Sequence, residues 1–267
     1  MSCPAAMAFS EQEMAGYNRD GFIVRRQIFA AQEVKRFQVA ADRASIAALA
    51  LCEQGHSYAL DGKRFVDAGD TTIQFEHSPG SQLIRVIEPV HQLDTVFDEL
   101  VDDPRITLPM QQLVGAPEIA LWTDKLNLKP PRQGSGFGWH QDSPYWIHDC
   151  DHVDQLPNVM ITFDDASQDN GCFRIIRASH AQGILPGTSD GTQLGGFFTD
   201  PACFEEADQI AMQVPAGSAI FFNPHCVHGS LPNHSDRPRR AIVITYQPAG
   251  HPMLKSAEPT VRPCKSA

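Results

Sequence analysis

The second half of this chain is divided into many short β-rich runs, and this pattern restricts its fold more than any other feature. The runs are rich in Val, Ile, Phe and Thr, and clusters of Pro, Gly, Asn and Asp separate them. Helical signals are confined to the front of the chain, which disfavours alternating strand and helix units. The pattern predicts a mainly β fold with flanking helices around a double-stranded β-helix, or jelly-roll, core. The predicted strands are 118–122, 126–128, 159–163, 172–176, 219–222 and 241–246.

The front of the chain carries the helical signals. A capping-box pattern at 10–13 predicts a short helix, and an Ala-rich stretch predicts a longer one over 30–53. Residues 21–25 between them are typical of a strand. Apolar residues spaced three and four apart predict a further helical region over 93–115, which ends at a Gly-Ala-Pro sequence.

Composition sets the size and class of the molecule. The chain has 267 residues, of which 42% are hydrophobic and 20% charged, so it can bury a sizeable core. We find no internal repeat and no low-complexity linker. We therefore predict a single domain over 1–267, in which a helix-rich part, 1–115, packs on a β-rich core, 118–250.

Charge and cysteine content limit the partners and the compartment. The formal net charge of −11 would repel a nucleic-acid backbone, and the only basic cluster is local, at 237–240. No window approaches twenty uninterrupted apolar residues, and no secretory leader pattern is present. Seven cysteines without paired spacing suit a reducing compartment. We expect a soluble, cytoplasmic protein that acts on a small molecule and contacts neither nucleic acid nor membrane.

The first candidate for chemistry is the pair His140 and Asp142. On a strand, residues two apart project from the same face, so the imidazole and the carboxylate could share one metal ion. A His-x-Asp pair arises often by chance, and surface or hydrogen-bonding roles explain most of them. A metal site therefore requires a third ligand.

Two histidines, His225 and His228, compete for the third position. They are an odd number of residues apart, so in an extended segment only one of them points inward. His228 is followed by Gly-Ser and, eleven residues later, by Arg239. This context favours His228 as the ligand and leaves His225 a supporting or packing role.

Two imidazoles and one carboxylate on one face of a metal are typical of non-haem iron(II) oxygenases, where three positions stay open. A 2-oxo acid takes two of these positions and dioxygen the third. The distal carboxylate of 2-oxoglutarate then needs an anchor, and a guanidinium matches it with two parallel hydrogen bonds. Arg239 and the hydroxyl of Ser230 are the candidates. The alternative for Arg239 is a surface charge in the 237–240 cluster.

Several motifs together resemble the phytanoyl-CoA dioxygenase-like (PhyH-like) family, a branch of the Fe(II)/2-oxoglutarate-dependent oxygenases. The resemblance implies a jelly-roll core, iron(II) held by His140, Asp142 and His228, and 2-oxoglutarate held by Arg239 and Ser230. Family sequences commonly read Pro-Gly-Ser-His where this chain reads Arg-Ala-Ser-His at 177–180, so we expect a different turn there. The matching segments are 17–24, 129–131, 139–146, 169–173, 178–180, 228–235 and 239–241.

Family members similar to ectoine hydroxylase place an Asn, a Phe and a Trp around the cosubstrate, and the resemblance carries these roles to Asn127, Phe137 and Trp146. Core packing is the alternative for the two aromatic residues, and a turn cap is the alternative for Asn127. Lys125 precedes Asn127 by two residues, so on a strand it would aim its ammonium at an anionic substrate or cosubstrate. A solvated surface lysine is the alternative.

The implied reaction is hydroxylation of an unactivated C–H bond with release of succinate and CO2. Asp142 favours hydroxylation, because halogenases of this superfamily have a small residue at that position. A zinc-dependent hydrolase with the same ligands and a non-catalytic jelly-roll binding protein are the rival hypotheses. The substrate is left open among acyl-CoA thioesters, solutes, phosphonates and secondary metabolites. Candidate substrate-facing positions are 70–77, the region of Arg85, and a glycine-rich lid at 183–198.

Overall fold

The computed structural model describes residues 7–256 and 259–265, and it is built on two antiparallel sheets. The larger sheet has nine strands in the order β1-β11-β8-β13-β6-β5-β4-β3-β2, and the smaller has four in the order β10-β9-β12-β7. The strands are β1 Phe22–Arg25, β2 His56–Leu60, β3 Lys63–Ala68, β4 Thr71–Phe75, β5 Ile84–Glu88, β6 Ile119–Asn127, β7 Phe137–His140, β8 Asn158–Thr162, β9 Phe173–Ile176, β10 Gln209–Ala211, β11 Ala219–Phe222, β12 His228–Ser230 and β13 Ala241–Pro248. The α-helices are α1 Glu11–Asp20, α2 Ala31–Cys52, α3 Thr95–Val101, α4 Pro104–Val114 and α5 Ser143–Trp146.

The central strands of the larger sheet are buried on both faces, which explains their continuous apolar sequences. Val159 and Ile161 of β8 pack with the helices in the larger apolar core, whereas Met160 between them packs against the smaller sheet. Strand β13 alternates in the same way: Ile242 packs in the core on the helix side of the sheet, and Val243 packs on the side of the smaller sheet. Helices therefore cover one face of the large sheet, and the small sheet covers part of the other.

The predicted elements of the second half are confirmed with one change. The runs at 118–122 and 126–128 form a single strand, β6, which pairs with β13 along its length. The predicted helical region at 93–115 is two helices, because the side chain of Asp103 caps the amide of Arg105 and Pro104 begins a new first turn. The capping box at Ser10 is confirmed.

The part of the chain before residue 115 contains more β-structure than predicted. It contributes five strands, and four of them, β2 to β5, form a meander that extends the large sheet beyond β6. The hairpin between β2 and β3 turns at Asp61 and Gly62. Both residues have positive φ (48° and 73°), as a tight two-residue hairpin turn requires. This meander is important for the site, because its inner face continues the floor of the cavity described below.

The turn at 177–180, where a departure from the family turn stays a prediction, contains a non-glycine residue with positive φ. Ala178 has φ +58° and ψ +9°, a left-handed conformation that places its Cβ too close to its own backbone. We expect Ala178→Gly to stabilise the protein by about 0.5–1 kcal/mol, because relief of this strain exceeds the extra backbone entropy of glycine. Thermal denaturation should show a midpoint raised by about 1–4 °C.

Ala47→Gly is the matched control for this change. Ala47 lies within α2, where glycine costs about 1 kcal/mol, so its midpoint should fall. A lower midpoint for Ala178→Gly as well would show that the turn is not strained at this residue.

No described helix is both long and apolar enough to cross a bilayer. The six cysteines among the described residues are free thiols. Cys3, which the sequence analysis also counted, lies outside the described residues. The one-domain organisation stays a prediction.

Candidate metal centre

Two of the three predicted ligands lie side by side on neighbouring strands of the small sheet. His140, the last residue of β7, pairs directly with His228, the first residue of β12, and their ring centroids are 4.2 Å apart. Nδ1 of His140 lies 2.8 Å from the carbonyl oxygen of Gly138, and Nδ1 of His228 lies 2.9 Å from that of Cys226. A carbonyl only accepts, so both Nδ1 atoms carry the proton and both Nε2 lone pairs are available to a metal.

Asp142 joins the pair, although not by the geometry that the sequence predicted. Strand β7 ends at His140, and the chain turns through Gln141 so that Asp142 lies at the start of α5 with helical backbone angles. The amides of Asp142 and Ser143 both donate to the carbonyl of Pro224, at 3.1 and 3.2 Å, and hold this turn. The argument from a shared strand face was therefore wrong for Asp142, whereas the predicted convergence is confirmed.

The residues between and beside the ligands hold their positions. Gln141 is fully buried, and its amide donates to the carbonyls of His225 and Gly183, at 2.6 and 2.8 Å. His225 lies in a turn rather than an extended segment, and its ring contacts Ser143 Oγ and Asp154 Oδ1, each at 2.8 Å. His225 thus supports the start of α5 and is absent from the ligand cluster.

The electrostatics of the three ligands suit a cation. Their ligand atoms all lie within 4.8 Å of one another. Burial, and then His228, lower the pKa of His140 to about 3, and burial lowers the pKa of His228. Burial would raise the pKa of Asp142, but His228 and Lys125 outweigh it, so the net shift is downward. Two neutral imidazoles and one carboxylate are the donor set of a facial iron(II) site, and the residues fit that metal.

A buried cationic pocket lies beside this cluster, at the far end of β12. Arg239 is 2% exposed and donates from Nη2 to the carbonyl of Gly171 at 2.9 Å, but its Nε has no hydrogen-bond partner within residues 7–256 and 259–265. Ser230 Oγ accepts from Lys129 Nζ at 2.8 Å. Lys129 is 1% exposed, and burial followed by Arg239 and Arg85 lowers its pKa to about 5. The surface alternative for Arg239 is therefore wrong.

Arg85 belongs to the same pocket. Its guanidinium carbon lies 3.6 Å above the ring centroid of Phe137, and Nη2 donates to the carbonyl of Gly136 at 2.9 Å. Nη1 is buried and has no hydrogen-bond partner in the described part of the chain. Burial lowers the pKa of Arg85 to about 10, and Glu76 opposes this shift. Glu76 acts on Arg85, and Cys172 and Asp164 act on Arg239. The pKa of both guanidiniums is nevertheless lowered, chiefly by burial, so their positive charge is poorly compensated. An anionic ligand would remove the imbalance and satisfy the orphaned nitrogens.

The remaining predicted residues divide into two groups. Lys125 and Asn127 both face the cavity from β6, and Lys125 Nζ lies 3.9 Å from Asp142 Oδ1 and 3.8 Å from Glu88 Oε1. The surface alternative for Lys125 is wrong. Trp146 is 1% exposed, packs with Trp122 at a centroid distance of 6.3 Å, and lies behind Lys125 rather than on the cavity wall.

The three candidate ligands and the cationic pocket line one cavity of about 470 Å³. The loop 183–199 forms its outer wall with Leu194, Phe197 and Phe198. The amides of Gln193 and Leu194 donate to the carboxylate of Asp61, at 3.1 and 2.7 Å, so the loop is tied to the β2–β3 hairpin. Of the segments proposed to face a substrate, 70–77 contributes Thr72, Gln74 and His77, and the region of Arg85 also lines the cavity.

Lys129 and Glu88 are among the site residues that the sequence analysis did not assign. Lys129 was quoted only as part of a motif, and nothing in a Lys-Pro-Pro sequence indicates that the lysine is buried. Glu88 lies on β5, which was not predicted, and it meets Lys125 only because β5 pairs with β6. The signal that could have revealed the meander is the Asp-Gly pair at 61–62 between two short β-rich runs.

Comparisons with known proteins support this interpretation of the geometry. The family model described as phytanoyl-CoA dioxygenase (PhyH) matches residues 17–241. An ectoine dioxygenase of Bordetella parapertussis is 27% identical over 262 residues, which cover 90% of this chain and 76% of the relative. An L-proline trans-4-hydroxylase of Streptomyces griseoviridis is 29% identical over 184 residues, covering 62% of this chain and 68% of the relative.

The fold has close counterparts among solved structures. The crystal structure of EctD from S. alaskensis with 2-oxoglutarate and 5-hydroxyectoine superposes with a TM-score of 0.72 at 24% identity, covering 97% of this chain and 86% of that one. The predicted jelly-roll core is thereby confirmed. Because the family model spans most of the sequence, the chain belongs to the phytanoyl-CoA dioxygenase family of iron(II)- and 2-oxoglutarate-dependent oxygenases.

Proposed function

We propose that this enzyme hydroxylates an unactivated C–H bond of a small molecule and releases succinate and CO2 from 2-oxoglutarate. One observation carries the proposal: the ligand cluster of His140, Asp142 and His228 shares a cavity with the unpartnered Nε of Arg239. A zinc hydrolase would have use for the cluster but none for a buried, unpaired guanidinium beside it. A binding protein would have no need of a complete ligand set.

His140, Asp142 and His228 would hold iron(II), and Arg239 with Ser230 would hold the distal carboxylate of 2-oxoglutarate. Arg85 joins them in this proposal, because its unpartnered Nη1 belongs to the same positively charged pocket. The sequence had suggested a substrate role for Arg85, and the proximity to Arg239 favours the cosubstrate instead. Phe137 would stack beneath Arg85 and fix its orientation.

Iron(II) with 2-oxoglutarate and dioxygen supplies the oxidising chemistry, which couples loss of CO2 to hydroxylation. The side chains contribute orientation and a dry environment. Phe173 and Phe222 pack against the His228 ring, with centroids at 5.2 and 5.1 Å, and exclude water from the side of the cluster that faces the core. Asn158 donates to Asp142 Oδ2 at 3.0 Å and fixes the carboxylate. No side-chain general base is required.

The test is aerobic turnover of the purified protein with iron(II), 2-oxoglutarate and a panel of amino acids, solutes, phosphonates and CoA thioesters. We expect succinate release that increases with one class of compound and a product 16 mass units heavier. Equal amounts of succinate and product would support hydroxylation. Absence of succinate under every condition, or zinc-dependent hydrolysis of an ester in the panel, would refute the proposal.

A further inference from the structure

A row of polar side chains crosses the floor of the cavity. Strand pairing places Asp67 opposite Thr72 and Thr72 opposite Glu88, and Lys125 is the next residue in the row, 3.8 Å from Glu88. Directly paired residues project from the same face of a sheet, so the row leads from the outer strands toward Asp142. It belongs to neither the metal cluster nor the cationic cosubstrate pocket.

Glu88 is the acidic member of this row that lines the cavity shared with the three candidate ligands. It is 8% exposed, and its Oε1 accepts from Thr123 Oγ1 at 2.9 Å. Among residues 7–256 and 259–265 no other group donates a hydrogen bond to this carboxylate. Lys125 Nζ lies 3.8 Å from Oε1 of Glu88, beyond hydrogen-bond distance, and 3.9 Å from Asp142. Glu88 therefore keeps an oxygen for a cationic group of a ligand.

A cation lies one strand further out. Lys255 lines the cavity and donates to Thr72 Oγ1 at 2.6 Å, and it forms no ion pair with the described part of the chain. Thr72 is opposite Glu88, and neighbouring strands are about 4.8 Å apart, so an ammonium and a carboxylate stand side by side. This spacing suits a ligand whose two opposite charges are a few ångströms apart.

Another part of the cavity wall is aromatic. Tyr145 and Phe197 stack with ring centroids 4.4 Å apart, and Lys63 Nζ lies 5.3 Å from the ring centroid of Phe198. These rings add an apolar surface to the cavity that contains the charged row. The cavity of about 470 Å³ must also hold the cosubstrate, and the room that remains suits a small molecule rather than a CoA thioester.

We propose that the substrate is a small zwitterion of the amino-acid type, with its ammonium on Glu88, its carboxylate on Lys255 and its apolar body against Phe197 and Phe198. This proposal rests on the proposed function, since the polar row is a substrate site only if the adjoining cluster is the reacting centre. A plain organic anion would use Lys255 but leave Glu88 unused, and a plain amine would do the reverse.

The experiment measures binding to the anaerobic complex of protein, iron(II) and 2-oxoglutarate by calorimetry and by change in its visible charge-transfer band. The probes are matched triplets that share a carbon skeleton: L-proline, cyclopentanecarboxylate and pyrrolidine; L-leucine, 4-methylpentanoate and isopentylamine; L-phenylalanine, 3-phenylpropanoate and phenethylamine. We expect the zwitterion of at least one triplet to bind more than about tenfold tighter than both of its partners, because each partner leaves one charged side chain of the cavity unpaired.

Variants assign the two poles of the ligand. Glu88→Gln should weaken the zwitterion about 10–100-fold and leave the carboxylate-only partner unchanged, because a neutral amide no longer pairs with the ammonium. Lys255→Met should weaken both. Glu99→Gln removes an exposed acid far from the cavity and should change neither.

The results of these experiments distinguish failure of the substrate proposal from failure of the proposed oxygenase function. If the band forms in the wild-type protein but the carboxylate-only partners bind as tightly as every zwitterion, or Glu88→Gln leaves zwitterion binding intact, the substrate proposal is wrong and the oxygenase stands. If no band forms, the proposed function fails and takes the substrate proposal with it. The wild-type triplets decide the matter even if a variant does not fold.

Discussion

The His228→Ala protein is expected to lose more than about 100-fold in succinate release while His225→Ala retains activity within about tenfold. His228 supplies one of the three ligand atoms. Loss of a residue that only hydrogen-bonds to a metal ligand typically lowers metal affinity or activity 10–100-fold, so loss of a ligand itself should cost more. His225 is also buried and only three residues away, but its ring contacts Ser143 and Asp154 rather than the cluster. Parallel measurements of turnover and of iron content after dialysis test the pair.

The contrast between these two histidines is the informative result. Both variants remove a buried imidazole, so a general loss of stability would lower their thermal midpoints together and is measured separately. If His225→Ala lost its iron and His228→Ala kept it, the assignment of the third ligand would be reversed.

Arg239→Met is expected to weaken 2-oxoglutarate about 100-fold or more, because two charge-assisted hydrogen bonds to its distal carboxylate are lost. The same variant should bind 2-oxovalerate, which lacks that carboxylate, about as well as the wild-type protein does. The ratio of the two affinities therefore isolates the guanidinium–carboxylate contact from any change in the metal site. Competition between the two 2-oxo acids, followed by calorimetry, provides the measurement.

Arg240→Met is the matched control for this variant. Arg240 follows Arg239 but points outward and pairs with Asp164 at 2.9 Å and Asp42 at 3.1 Å. Its loss should affect stability slightly and leave the preference for 2-oxoglutarate intact. An unchanged preference in Arg239→Met would remove Arg239 from the cosubstrate site.

The sequence predicted the site better than it predicted the geometry that forms it. His140 and Asp142 were paired by the two-residue period of a strand, yet the chain turns at Gln141, and the carbonyl of Pro224 holds that turn. The odd spacing of His225 and His228 selected the histidine that lies in the cluster, although His225 lies in a turn rather than in an extended segment. In each case the motif identified residues that come together in the structure. The local backbone that brings them together depends on contacts from distant parts of the chain.

What the sequence could not predict depends on pairing between distant strands. Glu88 and Lys125 are 37 positions apart and become neighbours only through the register of β5 and β6. Lys129 is buried because Gly171, Ser230 and Leu231 surround its Nζ, whereas lysine is ordinarily a surface residue. Trp146 was carried over by spacing from family members, but packing with Trp122 removes it from the cavity wall.

The central claim is that the cluster and the cationic pocket act on one metal-bound cosubstrate. Anaerobic titration of the wild-type protein with iron(II) and 2-oxoglutarate tests it most directly. We predict a weak visible charge-transfer band that requires both additions and is absent from the His228→Ala and Asp142→Ala proteins. A wild-type protein that binds iron(II) and 2-oxoglutarate without developing the band, or variants that develop it unchanged, would contradict the account.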